Sequence, residues 1–382
     1  MPVVDDPFDT AERRALRRTV DAFMAREVLP SLEEWEDGGT LPRHLHRRAA
    51  QAGLLGIGFD AEVGGSGGDV VDLVVLTEQM LLAGGSGGLV ASLLTHGIAL
   101  PHIVAARSAV QVDRFVRPVL DGNAIAALAV TEPDGGSDMA SVRTRAERDG
   151  DDYVVNGSKT YITSGMRADW VTTLVRTGGS GYEGLSLLVV PAGLDGVTRR
   201  ALPKMGWHCS DTAEFGFSDV RVPAWHLVGR EGTGFVQVAT QFADERIALA
   251  VQAYATAQRC LDLTLEWVRA RETFGRPLST RQLVRHRLVE MHRRIEVART
   301  YTRQVALAHL AGDDVVAEAA LAKNTAVEAC DHVVDEAVQL HGGLGYMRGT
   351  EVERHYRDAR ILGIGGGATE VMTELVAARL GW

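Results

Sequence analysis

The chain reads as a mainly α protein of the α+β class, with helices at both ends and a compact β region between them. Three observations predict this. Apolar residues recur at three- and four-residue spacing up to about residue 120; short alternating or continuous apolar runs then fill the middle; long helical periodicity returns to the end. With 382 residues, 46% of them hydrophobic, the chain can build two or three packed domains of roughly 100–200 residues each. We place the divisions at 1–122 (N-terminal helical domain), 123–229 (central antiparallel β domain) and 230–382 (C-terminal helical bundle).

The first region carries helical stripes in "ERRALRRTVDAFMAREVLPSLEEW" and "VVDLVVLTEQMLLA", punctuated by glycine clusters such as "EVGGSGGD". His44 and His46 in "RHLHRR" have no third ligand nearby and read as exposed helix residues, so no metal site is expected. In the middle, "AIAALAV", "DYVVNGSKTYIT", "WVTTLVRT" and "LSLLVVP" read as strands, and Asp149-Gly150 and Asn156-Gly157 as hairpin turns. Beyond Gly232, three long amphipathic stretches supply the bundle helices.

Charge and cysteine usage narrow the function. A net charge of -10 repels phosphate backbones and anionic lipid heads, which argues against nucleic-acid or membrane-surface roles. Cys209, Cys260 and Cys330 are widely spaced with no C-x-x-C pair and read as reduced, buried thiols of a cytoplasmic protein. No signal-peptide core precedes "AERRALRR", and no stretch approaches ~18 uninterrupted apolar residues, so membrane insertion is not expected. Lys159, Lys204 and Lys323 are the only lysines, which reads as compositional bias toward arginine.

Near the C-terminus, "ILGIGGGATEV" matches the G-x-G-x-x-A loop of a dinucleotide-binding unit in spacing alone. That unit needs a returning strand, and the chain ends at Trp382 without room for one. The successive glycines instead suggest a turn or a backbone pressed against a ligand.

The residues that carry chemistry begin with "LAVTEPDGGSDMAS", Leu128 to Ser141, a run of turn formers after a strand. This run resembles the acyl-CoA dehydrogenase signature. "NGSKTYITSG", "RETFGRPL" and "QLHGGLGYMRGTEVERHYRD" are similar to further motifs of the same family, with Gly349 departing from its usual acidic or amide residue. The resemblance implies three domains, the last a four-helix bundle, with FAD at their junction. Its flavin contacts would be Leu128, Val130, Thr131, Gly136, Ser137, Tyr161, Thr163, Gln339, Gly342, Gly343, Thr369 and Glu370. Arg271, Phe274 and Gln282 match the family's grip on the pyrophosphate and adenine side of a neighbouring subunit's flavin, which implies a homotetramer or homodimer. A guanidinium suits that role because its fork pairs two oxygens at once.

In this family a carboxylate removes the α proton of an acyl thioester while the β hydrogen leaves as hydride to the flavin. The common pattern places that base in the C-terminal loop, where this chain has Gly366. The isovaleryl- and long-chain-type branch carries it on the long helix before an arginine, which matches Glu245 and Arg246 in "FADERIALA". Periodicity supports the transfer independently. Glu245 interrupts a stripe of Phe235, Val238, Ala239, Phe242, Leu249 and Ala253, where a buried carboxylate becomes more basic; a salt bridge to Arg246 or to a neighbour at the stripe's edge is the other reading. The resemblance implies that the Gly366 N–H bonds the thioester carbonyl, and that Ser137, Asp244, Arg246 and Gly367 lie near the acyl carrier.

The small residues of "AGGSGGLVAS" match the acyl pocket and would leave room for a medium, long or branched chain; glycines ending a helix are the alternative. Electron-transferring flavoprotein is the implied acceptor. Two alternatives use the same framework: dehydrogenation of an acyl-carrier-protein thioester, and a flavin monooxygenase, against which Glu245 argues.

Overall fold

The structure, a computed structural model, describes residues 6–382. Four N-terminal helices matter for the site: α1 (Ala11–Phe23), α2 (Arg43–Gln51), α3 (Val70–Leu82) and α4 (Gly87–Leu93). Thr10 caps α1 by accepting from Arg13 N, and Asp69 with Asp72 forms a capping box on α3. Arg13 then pairs with both aspartates at 2.9 Å, locking α1 onto the start of α3.

The β region holds β1 (Ala126–Ala129), β2 (Arg145–Asp149), β3 (Asp152–Thr163), β4 (Trp170–Arg176), β5 (Leu185–Pro191), β6 (Val197–Ala201), β7 (Thr212–Pro223) and β8 (Leu227–Val228). Strand order is β6-β7-β3-β2-β4-β5-β8, with β1 added beside β4. The sheet is mixed, which corrects the expectation of a purely antiparallel one. Neighbours along the path are antiparallel except β2, which meets β4 in parallel, and β1 also runs parallel to β4. The β2–β3 hairpin and the loops around it separate β1 from β4 in the chain, so the two can run the same way.

Asp149-Gly150 does sit at the β2–β3 turn, with Gly150 at φ +62°. Asn156-Gly157 does not make a turn. It lies inside β3 as a bulge, with Gly157 at φ +144° and the register against β7 shifting beside it. A Cβ on Gly157 would stand 2.7 Å from Thr144 Cα, and Asn156 bonds Asp219 across the sheet, so packing rather than chain reversal fixes the pair.

The C-terminal bundle consists of α5 (Gly234–Ala270), α6 (Gln282–Leu310) and α7 (Val316–His341), followed by α8 (Glu351–Ala359) and α9 (Thr369–Leu380). α5 packs along α7, α3 and α6. One continuous core joins Phe23, Leu45, Val75 and Leu89 of the N-terminal helices to Ile247, Tyr254, Ile295 and Val333 of the bundle. Buried Glu78 on α3 receives both bonds of the Arg303 guanidinium from α6 at 2.9 and 3.0 Å, tying the same two regions. No single helix among the described residues is long and apolar enough to cross a membrane. All three cysteines are buried and free.

His46 corrects another expectation. His44 is exposed, but His46 faces the core, where burial and the nearby Arg167 and His96 charges push it down to about 3. Burial also holds His96 and His102 at about 4. These rings stay neutral in the fold, whereas the unfolded chain takes up protons below the ordinary value of about 6.5. Stability is therefore lost as pH falls from 7 to 5, by about 2 kcal/mol for each such histidine. Urea unfolding at the two pH values checks this, and His46→Gln should flatten the dependence by one histidine's share.

Candidate active site and cofactor cradle

Glu245 sits in the first third of α5, and the turn at residues 365–367, between α8 and α9, comes against it. A Cβ built on Gly366 would lie 3.3 Å from Glu245 Oε1 and 2.3 Å from Leu249 Cδ1. Gly366 and Gly367 adopt φ +62° and +99°, a left-handed path that glycine takes without strain, and the turn presents bare backbone to the carboxylate. Neither N–H donates to a protein group among the described residues.

Glu245 is surrounded by protein yet only half-buried, and its carboxylate oxygens are not among the fully buried unpaired atoms. Burial pushes its pKa above the usual range against the opposing charges of Arg246 and Lys323. The salt-bridge reading fails: Arg246 makes no ion pair with Glu245 among the described residues and lies 5.0 Å over the Phe242 ring, with its Nε unpaired. Lys323 of α7, fully buried, donates Nζ–H to the Gly367 carbonyl.

The loop after β1 is pinned by a residue the motif reading left without a role. Buried Glu132 accepts from Lys159 Nζ (2.8 Å), Arg143 N (2.8 Å) and Thr144 N (2.9 Å), while Lys159 also donates to Val130 O at 2.9 Å. Burial pushes Lys159 down to about 8; Glu132, although burial opposes its charge, is held below the usual carboxylate range by Lys159 and the backbone donors. We read the pair as charged at neutral pH. The scarcity of lysine was the available signal: two of the three lysines are fully buried at the site, where a compact ammonium needs less room than a planar guanidinium fork. Glu132→Gln should cost about 3 kcal/mol, because it strands a buried ammonium. Urea denaturation of the flavin-free protein checks this.

Thr160 N bonds Thr131 O at 2.9 Å, bringing the 128–137 loop beside the end of β3. There the register against β7 slips, and Tyr161 turns out at φ +60°, with the residue 71% exposed. The N–H groups of Thr131, Gly136 and Ser137 have no protein partner among the described residues. A Cβ on Gly136 would crowd Thr131 Cγ2 at 3.3 Å. Unspent donors beside an outward aromatic, with Leu128, Val130 and Thr163 on the same two strand ends, fit a flat heterocycle with several acceptors. Thr369 fits less well than expected, because its hydroxyl donates back to Gly363 O at 3.3 Å as α9 begins. Glu370 is exposed in the first turn of that helix.

A second cluster forms at the far end of α5. Trp267 Nε1 donates to Leu340 O at 3.0 Å and its ring stacks on His341 at 5.3 Å. This places Arg271, whose guanidinium lies 5.9 Å over Trp267, near Gln339, Gly342 and Gly343. Gln282 opens α6 nearby, and Phe274 is 97% exposed. From Glu245 to Arg271 along one unbroken helix is about 39 Å at 1.5 Å per residue. The Glu245 turn and the Arg271 cluster of one chain are therefore far apart along α5.

Two substrate expectations change. Asp244 points to α6 and bonds His309 Nε2 at 2.8 Å, so one of its oxygens is spent away from the carboxylate of Glu245. The glycines of residues 83–92 do not open space. A Cβ on Gly87 would strike Trp207 Nε1 at 2.5 Å and one on Gly88 would meet Cys209 Sγ at 3.0 Å, so they admit close packing instead. A cavity of about 610 Å³ lies beside the end of the 128–137 loop, lined by Ser141, Arg143, Arg145, Glu147 and Arg176.

A flavin-dependent redox protein is the class this arrangement defines: one buried, unpaired carboxylate, free backbone donors beside it, and room for a flat heterocycle against the 128–137 loop. Family models described as the N-terminal, middle and C-terminal domains of acyl-CoA dehydrogenase match residues 10–123, 127–220 and 232–381. The chain belongs to the acyl-CoA dehydrogenase family. It is 36% identical over 375 residues to the long-chain specific acyl-CoA dehydrogenase of Rattus norvegicus, covering 97% of this chain and 87% of that one. A crystal structure from Mycobacterium smegmatis, assigned to the acyl-CoA dehydrogenases, superposes at TM-score 0.98 with 59% identity over 98% and 99% of the two chains. A glutaryl-CoA dehydrogenase from the same organism, solved with FADH2, superposes at 0.92 with 25% identity over 99% and 97%. The protein is accordingly an FAD-dependent oxidoreductase that dehydrogenates the CH–CH bond of acyl-CoA thioesters.

Proposed function

We propose that Glu245 is the general base and that the Gly366 N–H polarises the thioester carbonyl. The observation that carries this is the 3.3 Å approach between Glu245 Oε1 and the Cβ position of Gly366. A thioester carbonyl seated on the Gly366 N–H would present its α carbon to that carboxylate. Glu245 is basic enough to take the proton because it is desolvated and unpaired, and the backbone donor stabilises the developing enolate oxygen. FAD supplies the acceptor for the β hydride. Thr131, Gly136, Ser137, Tyr161 and Thr163 would hold its ring, and Arg271, Phe274, Gln282, Gln339, Gly342 and Gly343 would hold the pyrophosphate and adenine side of a second copy's flavin. The protein would then work as a homodimer or homotetramer.

The substrate is a medium-, long- or branched-chain acyl-CoA, by likeness to the rat enzyme and to the branch with its base on the long helix. Arg143 and Arg145, exposed and paired with Asp134 at 3.1 Å and Glu147 at 3.9 Å, would have to exchange those partners to meet the phosphates of a CoA nucleotide in the neighbouring cavity, whereas Arg176 is committed to backbone carbonyls. Electron-transferring flavoprotein would reoxidise the enzyme in the cytoplasm. Anaerobic bleaching of the yellow holoenzyme by a panel of acyl-CoAs and acyl-carrier proteins tests this. We expect fastest bleaching by a longer or branched acyl-CoA; bleaching by carrier-protein thioesters alone would reject the CoA assignment.

A further inference from the structure

Among forty basic residues only three are lysines, and one of these, Lys323, is fully buried behind the glycine turn. Its helix, α7, is the one packed most extensively along α5, which carries Glu245. The ammonium donates to Gly367 O on one side of the turn's exit, while the next residue on α7, Asn324, donates to Thr369 O at 3.1 Å on the other. α7 thus clamps the segment that leads from the free Gly366 N–H into α9. The charges acting on Glu245 are Arg246, from its own helix, and Lys323, from α7; the turn facing it carries none, and Asp244 is paired with His309.

We propose that Lys323 is a positioning residue for proton abstraction: its ammonium holds the turn that presents the Gly366 N–H and fixes a positive charge beside the Glu245–Gly366 pair. This rests on Glu245 being the base. A lysine suits the place because a single compact donor can reach one carbonyl without the room a guanidinium fork needs. Its charge favours the ionised form of Glu245, opposing the burial that raises it, so the base is set between the two effects.

The test compares Lys323→Met and Lys323→Gln as holoenzymes, following flavin reduction by substrate from pH 5 to 9. Without the cation, Glu245 holds its proton to higher pH, so the acid limb of the rate should move up in the Met and Gln variants. At pH 7 the Met variant should lose ~10–10² in rate, the scale of a slightly misplaced donor. The carboxyl band of Glu245, isolated by infrared difference against Glu245→Gln, should titrate with the same upward shift. Lys323→Gln retains a donor for Gly367 O, so it reads the charge effect even if the Met variant folds poorly. An unmoved acid limb and an unmoved carboxyl midpoint in the Gln variant would overturn the proposal, whatever happens to the rate. Near-wild-type reduction by Glu245→Gln would instead overturn the base assignment on which it rests.

Discussion

Glu245→Gln is expected to slow substrate-driven flavin reduction by ~10²–10⁴ while leaving thioester binding intact, the usual consequence of deleting a general base. Glutamine keeps the shape of the side chain. The Gly366 N–H, which would hold the carbonyl, is untouched, so ground-state affinity should change little. A companion result concerns moving the base to the loop. Gly366→Glu by itself should not rescue Glu245→Gly well, because a Cβ there falls 2.3 Å from Leu249 Cδ1 and the backbone lies at φ +62°. Adding Leu249→Ala should recover part of the lost rate by opening that space. Recovery stays partial, since the backbone strain persists and about 1 Å of misplacement is costly. Tight binding of a substrate analogue by every variant is the control that separates chemistry from affinity.

Arg271→Ala is expected to weaken FAD retention by ~10–10², from loss of a charge-assisted bidentate contact to a phosphate. The larger effect appears when the two impaired proteins are mixed at an FAD concentration too low to load Arg271→Ala. If Arg271 serves a second copy's flavin, an oligomer of one Glu245→Gln subunit and one Arg271→Ala subunit contains one site with both residues intact. Refolded mixtures should then regain up to half of the wild-type activity per mixed pair, far above either parent. If both residues served the same chain's site, every site would carry one lesion and mixing would restore nothing. The 39 Å of helix between them favours the first outcome.

Elements governed by local pattern were legible in the sequence. "WVTTLVRT" and "LSLLVVP" correspond to β4 and β5, since continuous apolar runs that short suit strands buried on both faces. The stripe that made Glu245 conspicuous lies on α5, although the side chain comes against the remote turn at 365–367. Errors arose where long-range packing overrode local propensity. Asn156-Gly157 has a turn composition but is kept in β3 by Thr144 and Asp219. His46 lies one residue beyond an apolar position on α2, and helical spacing alone did not show that the core extends to it. The roles of Glu132, Lys159 and Lys323 depend on partners 11 to 44 residues away, which no local pattern reports.

Anaerobic stopped-flow mixing of wild type and Glu245→Gln with a long-chain acyl-CoA tests the central claim most directly, that the base has left the glycine loop for the long helix. The expected result is rapid bleaching of the flavin in wild type and bleaching slower by ~10² or more in the variant, at equal FAD content and equal affinity for the product thioester. Bleaching of Glu245→Gln at near the wild-type rate would contradict the account and place the base elsewhere.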